Sequence, residues 1–210
     1  MLNHLYTCYF PICIVILYNC AELADGCSSC LGSGFECGWC DRPSGMTDSC
    51  TYTEECETTP VNVGSNCPAP MITDFNPKSG PIEGGTTITI TGRELGVTFD
   101  DFITNSITVG SVSCTAIESG YIPGRQIRCN TTAQGGLLGD LPIVITLPSG
   151  TGESSDRFTY ATPEIMRVVP IRGPVAGGTR LTVWGSNLNI GNIEDTRITI
   201  VDGTECNIVE

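Results

Sequence analysis

The sequence predicts a mainly β chain: a small disulfide-rich knot followed by two β-sandwich units, the second incomplete. Three observations predict it. Ten of the 13 cysteines fall between Cys8 and Cys67. A run rich in glycine, proline and threonine recurs at an offset of 93 residues. Short alternating apolar runs, separated by turn residues, take the place of any sustained helical periodicity over the 210 residues.

Residues 1–19 come first. Leu2 to Tyr18 is mostly apolar, with Leu5, Phe10, Ile12, Ile14, Val15, Ile16 and Leu17. The stretch is too short for a standard membrane span. As a secretion signal it lacks Lys or Arg in the n-region and is interrupted by Cys8, Pro11 and Cys13. The two readings are a weak signal and the end of a preceding domain whose last strand is Ile14–Tyr18, and the second fits the residues better.

The knot spans residues 20–69. Its eight cysteines, Cys20, Cys27, Cys30, Cys37, Cys40, Cys50, Cys56 and Cys67, are spaced C-x6-C-x2-C-x6-C-x2-C-x9-C-x5-C-x10-C. Spacing alone permits about 105 pairings. A unit this small buries too little apolar surface to hold itself, whereas each disulfide restricts the unfolded chain by roughly 2–4 kcal/mol. Trp39 and Phe35 are its expected main apolar contacts. Two other chemistries suit parts of the pattern. Cys27-x-x-Cys30 with Cys37-x-x-Cys40 could ligate zinc, but four more cysteines would then have no role. Cys37-Gly-Trp-Cys40 resembles a redox dithiol, but no helix start or βαβ pattern accompanies it.

The first sandwich unit spans 70–162. In Thr87-Ile-Thr-Ile-Thr91 the isoleucines face one way and the threonines the other, as in a half-buried strand. Leu141–Leu147 and Arg157–Tyr160 read as further strands, with turns at Asn76-Pro77, Gly84-Gly85, Gly135-Gly136 and Pro148–Gly150. Short strands of this kind over about 90 residues suggest an antiparallel immunoglobulin-like sandwich. The second unit, 163–210, repeats the first. Pro77, Gly80, Pro81, Gly84-Gly85-Thr86, Thr89, Gly92 and Leu95 return as Pro170, Gly173, Pro174, Gly177-Gly178-Thr179, Thr182, Gly185 and Leu188. It has no counterpart of the later strands, so part of its core and edges is expected to be uncovered.

Composition narrows function. The net charge is −13, and residues 20–69, 70–162 and 163–210 are each acidic. Nucleic-acid binding needs clustered Lys and Arg to displace counterions, so nucleic acid is not an expected partner. His4 is the single histidine, which leaves the folded units without a Ser-His-Asp or Cys-His constellation. No catalytic residue, cofactor or metal is expected. The repeat glycines are not a phosphate cradle, since a strand rather than a helix follows them. Asp100, Asp101 and Glu94 lack calcium-loop spacing and read as a solvated loop. Asn130-Thr131-Thr132 is an N-glycosylation acceptor.

The eight-cysteine spacing with Cys-Gly-Trp-Cys at 37–40 resembles the PSI domain of plexins, semaphorins and integrins. The Pro-x-x-Gly-Pro-x-x-Gly-Gly-Thr run at 77–86 and 170–179 resembles the IPT/TIG domain. Knot, sandwich, sandwich is the order in plexins and in Met-type receptor kinases. Leu17-Tyr18-Asn19-Cys20 and Val168–Leu181 resemble plexins more closely, while residues 1–13 match nothing in either family. The resemblance implies the pairing Cys20–Cys37, Cys27–Cys67, Cys30–Cys50 and Cys40–Cys56. It also implies Cys114–Cys129, the two cysteines available inside the first sandwich. Cys206 occupies the place of Cys114, so its mate is expected beyond the end, and Cys8 and Cys13 are unassigned. The implied role is the extracellular stalk of a cell-surface semaphorin receptor, without catalysis. Implied partners are a semaphorin-type ligand, met through the full receptor, and neighbouring ectodomain modules, with membrane contact only through a segment absent here. A Met-type receptor kinase ectodomain is the alternative. A TIG-containing DNA-binding protein fits poorly with the knot and the acidity.

Overall fold

The structure is a computed structural model and describes residues 3–9, 12–40, 48–56, 67–102, 105–133, 139–200 and 203–209. β1 (Asn3–Tyr9) and β2 (Ile12–Tyr18) form an antiparallel hairpin with Cys8 opposite Cys13. The strand expected at 14–18 is therefore present, paired with residues that matched no known pattern.

The knot follows as α1 (Cys20–Leu23), α2 (Cys27–Leu31), β3 (Cys37–Cys40) and β4 (Ser49–Tyr52), the two strands pairing antiparallel. Both helices are single turns, too short to show a periodicity in the sequence. Asn19 opens α1 by accepting the Ala21 N–H on its side chain (3.2 Å), as an N-cap residue does. Tyr18, Cys20, Ala24, Cys30, Cys37 and Cys50 form the buried cluster. Phe35 and Trp39, the expected apolar contacts, pack against this cluster partly buried, with Leu23 beside them, while four cysteines occupy its interior. Tyr18 takes the inner place and stacks on Phe35 with ring centroids 4.4 Å apart.

The sandwich is built from β5 (Met71–Asn76), β6 (Ser79–Pro81), β7 (Thr87–Arg93), β8 (Ile107–Val109), β9 (Val112–Ile122), β10 (Gln126–Thr131), β11 (Gly139–Leu147) and β12 (Gly150–Ala161). Hydrogen bonds run continuously in the order β5-β7-β10-β9-β8-β11-β12-β6. The long β9 folds this ladder into two layers. Its first residues, Val112 and Ser113, pair with β8, and those from Cys114 onward pair with β10. The layers close on one core: Phe75, Ile88, Ile90 and Ile127 from one, Ile107, Ile143, Ile145, Phe158 and Tyr160 from the other. The alternation read at 87–91 holds, with Ile88 and Ile90 fully buried and the threonines between them half-exposed. One pairing departs from the antiparallel expectation. β6 runs parallel to β12. After β5 the chain turns at Asn76-Pro77, where proline offers no N–H to the ladder, and crosses to the opposite layer without reversing.

The second unit repeats the first in backbone detail. Gly84 and Gly85 adopt φ 80° and 82°, and Gly177 and Gly178 adopt 81° and 78°, a region that only glycine enters without steric cost. The Asn76–Pro77 and Val169–Pro170 peptide bonds are both cis. β13 (Glu164–Val169) pairs with β14 (Thr182–Ser186), and β15 (Ile198–Thr199) with β16 (Glu205–Cys206). Among the described residues beyond 162 none is buried, and Ile165, Met166, Ile171 and Val175 are exposed.

Candidate functional site: the joint between knot and sandwich

With so small a knot, what fixes it to the sandwich is a cluster of polar groups and close backbone contacts. Glu94, just after β7, has left-handed backbone (φ 56°) and turns its carboxylate toward the knot. The backbone N–H groups of Cys27 and Ser28, at the start of α2, donate to Glu94 Oε1 (3.0 Å) and Oε2 (2.7 Å). Both bonds are charge-assisted, the stronger class of protein hydrogen bond. A second anchor lies on the β9–β10 turn. Arg125 donates through Nε to Asp25 Oδ1 (3.1 Å) and through Nη2 to the Leu23 carbonyl (3.3 Å).

Desolvation pulls the Asp25 carboxyl up. It is outweighed by the hydrogen bond from Arg125, by Asp25's own backbone N–H, and by the charges of Arg125 and Arg93. The group is held below the usual carboxylate range. Its side chain is 57% exposed and that of Arg125 45%, so solvent screens the pair and it stabilises modestly.

Two glycines let the units touch. A methyl group on Gly124 would stand 2.5 Å from the Ser29 nitrogen, and one on Gly32 would stand 2.5 Å from the Val97 carbonyl oxygen. Backbone thus meets backbone on both sides. The cavity left between Ser28, Cys67, Val97 and Leu147 measures about 10 Å³, room for one water at most.

The structure holds disulfides Cys20–Cys37, Cys27–Cys67, Cys30–Cys50, Cys40–Cys56 and Cys114–Cys129. Each member of the two Cys-x-x-Cys pairs is bonded to a different cysteine outside them, so no four-thiolate zinc cradle forms from these residues. Cys27, Cys67 and Glu94 lie close together, but both sulfurs are in a disulfide and the carboxylate is held by two amides. Cys206 is free. Asp101 Oδ2 accepts the N–H groups of Val97 (2.7 Å) and Thr98 (3.0 Å) and so caps the short turn that contains it. Asn130, exposed at the end of β10, accepts the Thr87 hydroxyl on Oδ1 (2.8 Å). The Thr132 hydroxyl donates to the Ser113 carbonyl (2.7 Å). Among the described residues no helix is long and apolar enough to cross a membrane.

The joint residues Asp25, Glu94 and Arg125 escape a sequence reading, which meets Glu94 only as a candidate calcium ligand. Their partners lie 66 to 102 positions away. One signal was available: Glu94 aligns with Asn187, a residue type that enters left-handed backbone readily.

The family model for the IPT/TIG domain matches residues 70–160 and again 163–210. The chain belongs to the IPT/TIG domain family. Among curated proteins, mouse Plexin-A4 is 35% identical over 85% of the chain, human Plexin-B1 35% over 90%, and Caenorhabditis elegans Plexin-2 37% over 92%. The chain spans about a tenth of the length of these relatives. A solved full extracellular region of Plexin A4 superposes with a TM-score of 0.70, at 32% identity, over 86% of this chain and 16% of that one. The likeness to plexins drawn from the sequence thus holds in sequence and in shape. The joint lies at the entry to the first IPT/TIG unit.

Proposed function

We propose that this chain is a rigid, non-catalytic spacer in the extracellular stalk of a plexin-type semaphorin receptor. Residues 20–69 serve as a PSI unit, with 70–162 and 163–210 as IPT/TIG units and 1–19 as the end of what precedes them. The observation that carries the reading is the joint, where a covalently stapled knot is held on the sandwich by two charge-assisted backbone hydrogen bonds, an ion pair and direct backbone contact. Similarity to plexins over most of the chain, and to a solved plexin extracellular region, supports a cell-surface, extracellular location. The ligand would be bound elsewhere in the receptor, and this segment would hold the ligand-binding part at a fixed angle to the membrane-proximal part.

The test replaces residues 20–160 in the full receptor with a Gly/Ser linker, a flexible coil. Semaphorin binding should persist and the cellular response should fall. An undiminished response would overturn the spacer role. Within the same reading, Asn130 carries an N-glycan on its free amide nitrogen. Asn130→Gln should remove the mobility shift that endoglycosidase treatment produces in the secreted chain, and a shift that survives the substitution would exclude the site.

A further inference from the structure

We infer that position 94, and its repeat equivalent 187, act as a module latch: in each sandwich unit one left-handed residue fixes the backbone of the segment immediately upstream. The inference deepens the spacer reading and rests on it. Three observations converge. Glu94 and Asn187 are 93 residues apart, the repeat offset, and share φ values of 56° and 54°. Asn105 is the one other non-glycine residue with positive φ among those described. Each side chain reaches upstream backbone rather than its own unit's core. Glu94 accepts from Cys27 and Ser28 in the knot. Asn187 donates through Nδ2 to the carbonyl of Thr162, which precedes β13 (2.9 Å). The chemistry is matched in each case. Free amides at a helix start need an acceptor, and position 94 supplies a carboxylate. A carbonyl needs a donor, and position 187 supplies an amide.

Left-handed backbone disfavours a branched or long side chain, and such conformations persist where the surroundings hold them. A glycine would relieve the cost at either position. A side chain with a hydrogen-bonding tip in both repeats is therefore accounted for by the contact it makes. The two tips differ because the upstream segments differ, a helix start in one and an extended linker in the other.

The test uses Glu94→Gly and Asn187→Gly in the whole secreted chain. Glycine is the residue that φ near 55° favours, so both variants keep the loop and lose only the tip. Amide exchange is followed residue by residue by NMR. In Glu94→Gly the Cys27 and Ser28 amides should exchange at least about tenfold faster, because local opening no longer breaks charge-assisted bonds. Amides of β7 and β10 should be unchanged. In Asn187→Gly the scattering profile should broaden toward a wider range of inter-unit angles, with the thermal midpoint of the first sandwich unmoved. Glu94→Gln, which keeps shape and one acceptor, should fall between. Unchanged exchange at residues 27 and 28 overturns the latch. Equal loss of protection in β7 also overturns it, since Glu94 would then support its own fold. Neither result bears on the spacer reading, which the linker-substituted receptor decides.

Discussion

Replacing Cys30 and Cys50 together with alanine should unfold the knot and leave the first sandwich folded. Both sulfurs are buried, and the bridge closes a separation of 20 residues. Chain-entropy arithmetic puts its contribution at about 3.3 kcal/mol at 25 °C. Four of the six buried side chains in the knot cluster are cysteines, so little apolar burial remains to absorb the loss. The sandwich makes the comparison. Cys114–Cys129 closes a separation of 15 residues, worth about 3 kcal/mol by the same arithmetic. That bridge sits inside a core containing Phe75, Phe158, Tyr160 and six fully buried isoleucines.

Two losses of almost equal size should therefore have unequal consequences. The Cys30/Cys50 variant should lose amide protection across 20–40 and 48–56 while β7, β10 and β11 keep theirs. The Cys114→Ala/Cys129→Ala variant should stay folded throughout, with the sandwich midpoint lowered by about 12–24 °C. Hydrogen exchange with mass spectrometry and calorimetry on the secreted chains read both. Native protection of the knot in the first variant, or collapse of the sandwich in the second, would refute the division between a covalently and a hydrophobically stabilised unit.

Three further outcomes are expected. Ile90→Ala, at a fully buried position on β7, should cost about 2–5 kcal/mol in urea unfolding, and a cost below about 1 kcal/mol would remove β7 from the core's critical contacts. Gly124→Ala places a methyl group against the Ser29 nitrogen at a backbone φ of 69° and should destabilise by more than about 1 kcal/mol, with protection lost first at residues 27–30. Asp25 has a folded pKa below its unfolded one, so its contribution is present above about pH 3.9 and disappears as pH falls through the lowered folded value. Arg125→Ala should accordingly cost less than about 1 kcal/mol at neutral pH and progressively less under acid, and a gap that widened on acidification would contradict the ion pair.

Much of the fold could be read before any coordinates because the repeat reports on the backbone twice. Gly84-Gly85 and Gly177-Gly178 mark the same left-handed turn, Pro77 and Pro170 the same cis peptide position, and Ile88 and Ile90 disclose a buried face by alternation alone. Compact features stayed hidden where their cause is distant. β6 is three residues long, and its parallel pairing depends on the path of β12, some 80 positions on. Phe35 and Trp39 were legible as apolar contacts of the knot, but Tyr18, which lies inside the cluster, was not, because it precedes the first of the eight cysteines. The joint was the least legible part. Nothing local in Arg93-Glu94-Leu95 shows that a carboxylate there meets two amides of a preceding unit.

The two joints of the chain are not equally stiff. At the first, opening breaks both bonds to Glu94, and hydrogen bonds to a charged group contribute about 1.5–3 kcal/mol each. Even at the lower figure the open fraction stays below about 1%, before the Arg125 contacts and the backbone packing at Gly124 are counted. At the second, the hydrogen bonds among the described residues are neutral: Asn187 Nδ2 on the Thr162 carbonyl (2.9 Å), the Gly191 N–H on the Ser79 carbonyl (2.9 Å) and Asn192 Nδ2 on the Thr87 carbonyl (3.1 Å). Neutral bonds contribute about 0.5–1.5 kcal/mol each, and a groove of about 480 Å³ runs beside them between Pro77 and Ile190. Bending under load should therefore concentrate between the sandwich units, while the knot and first sandwich move as one body. In the proposed spacer the angle is therefore held most stiffly at the first joint, and any give under load is expected first at the second.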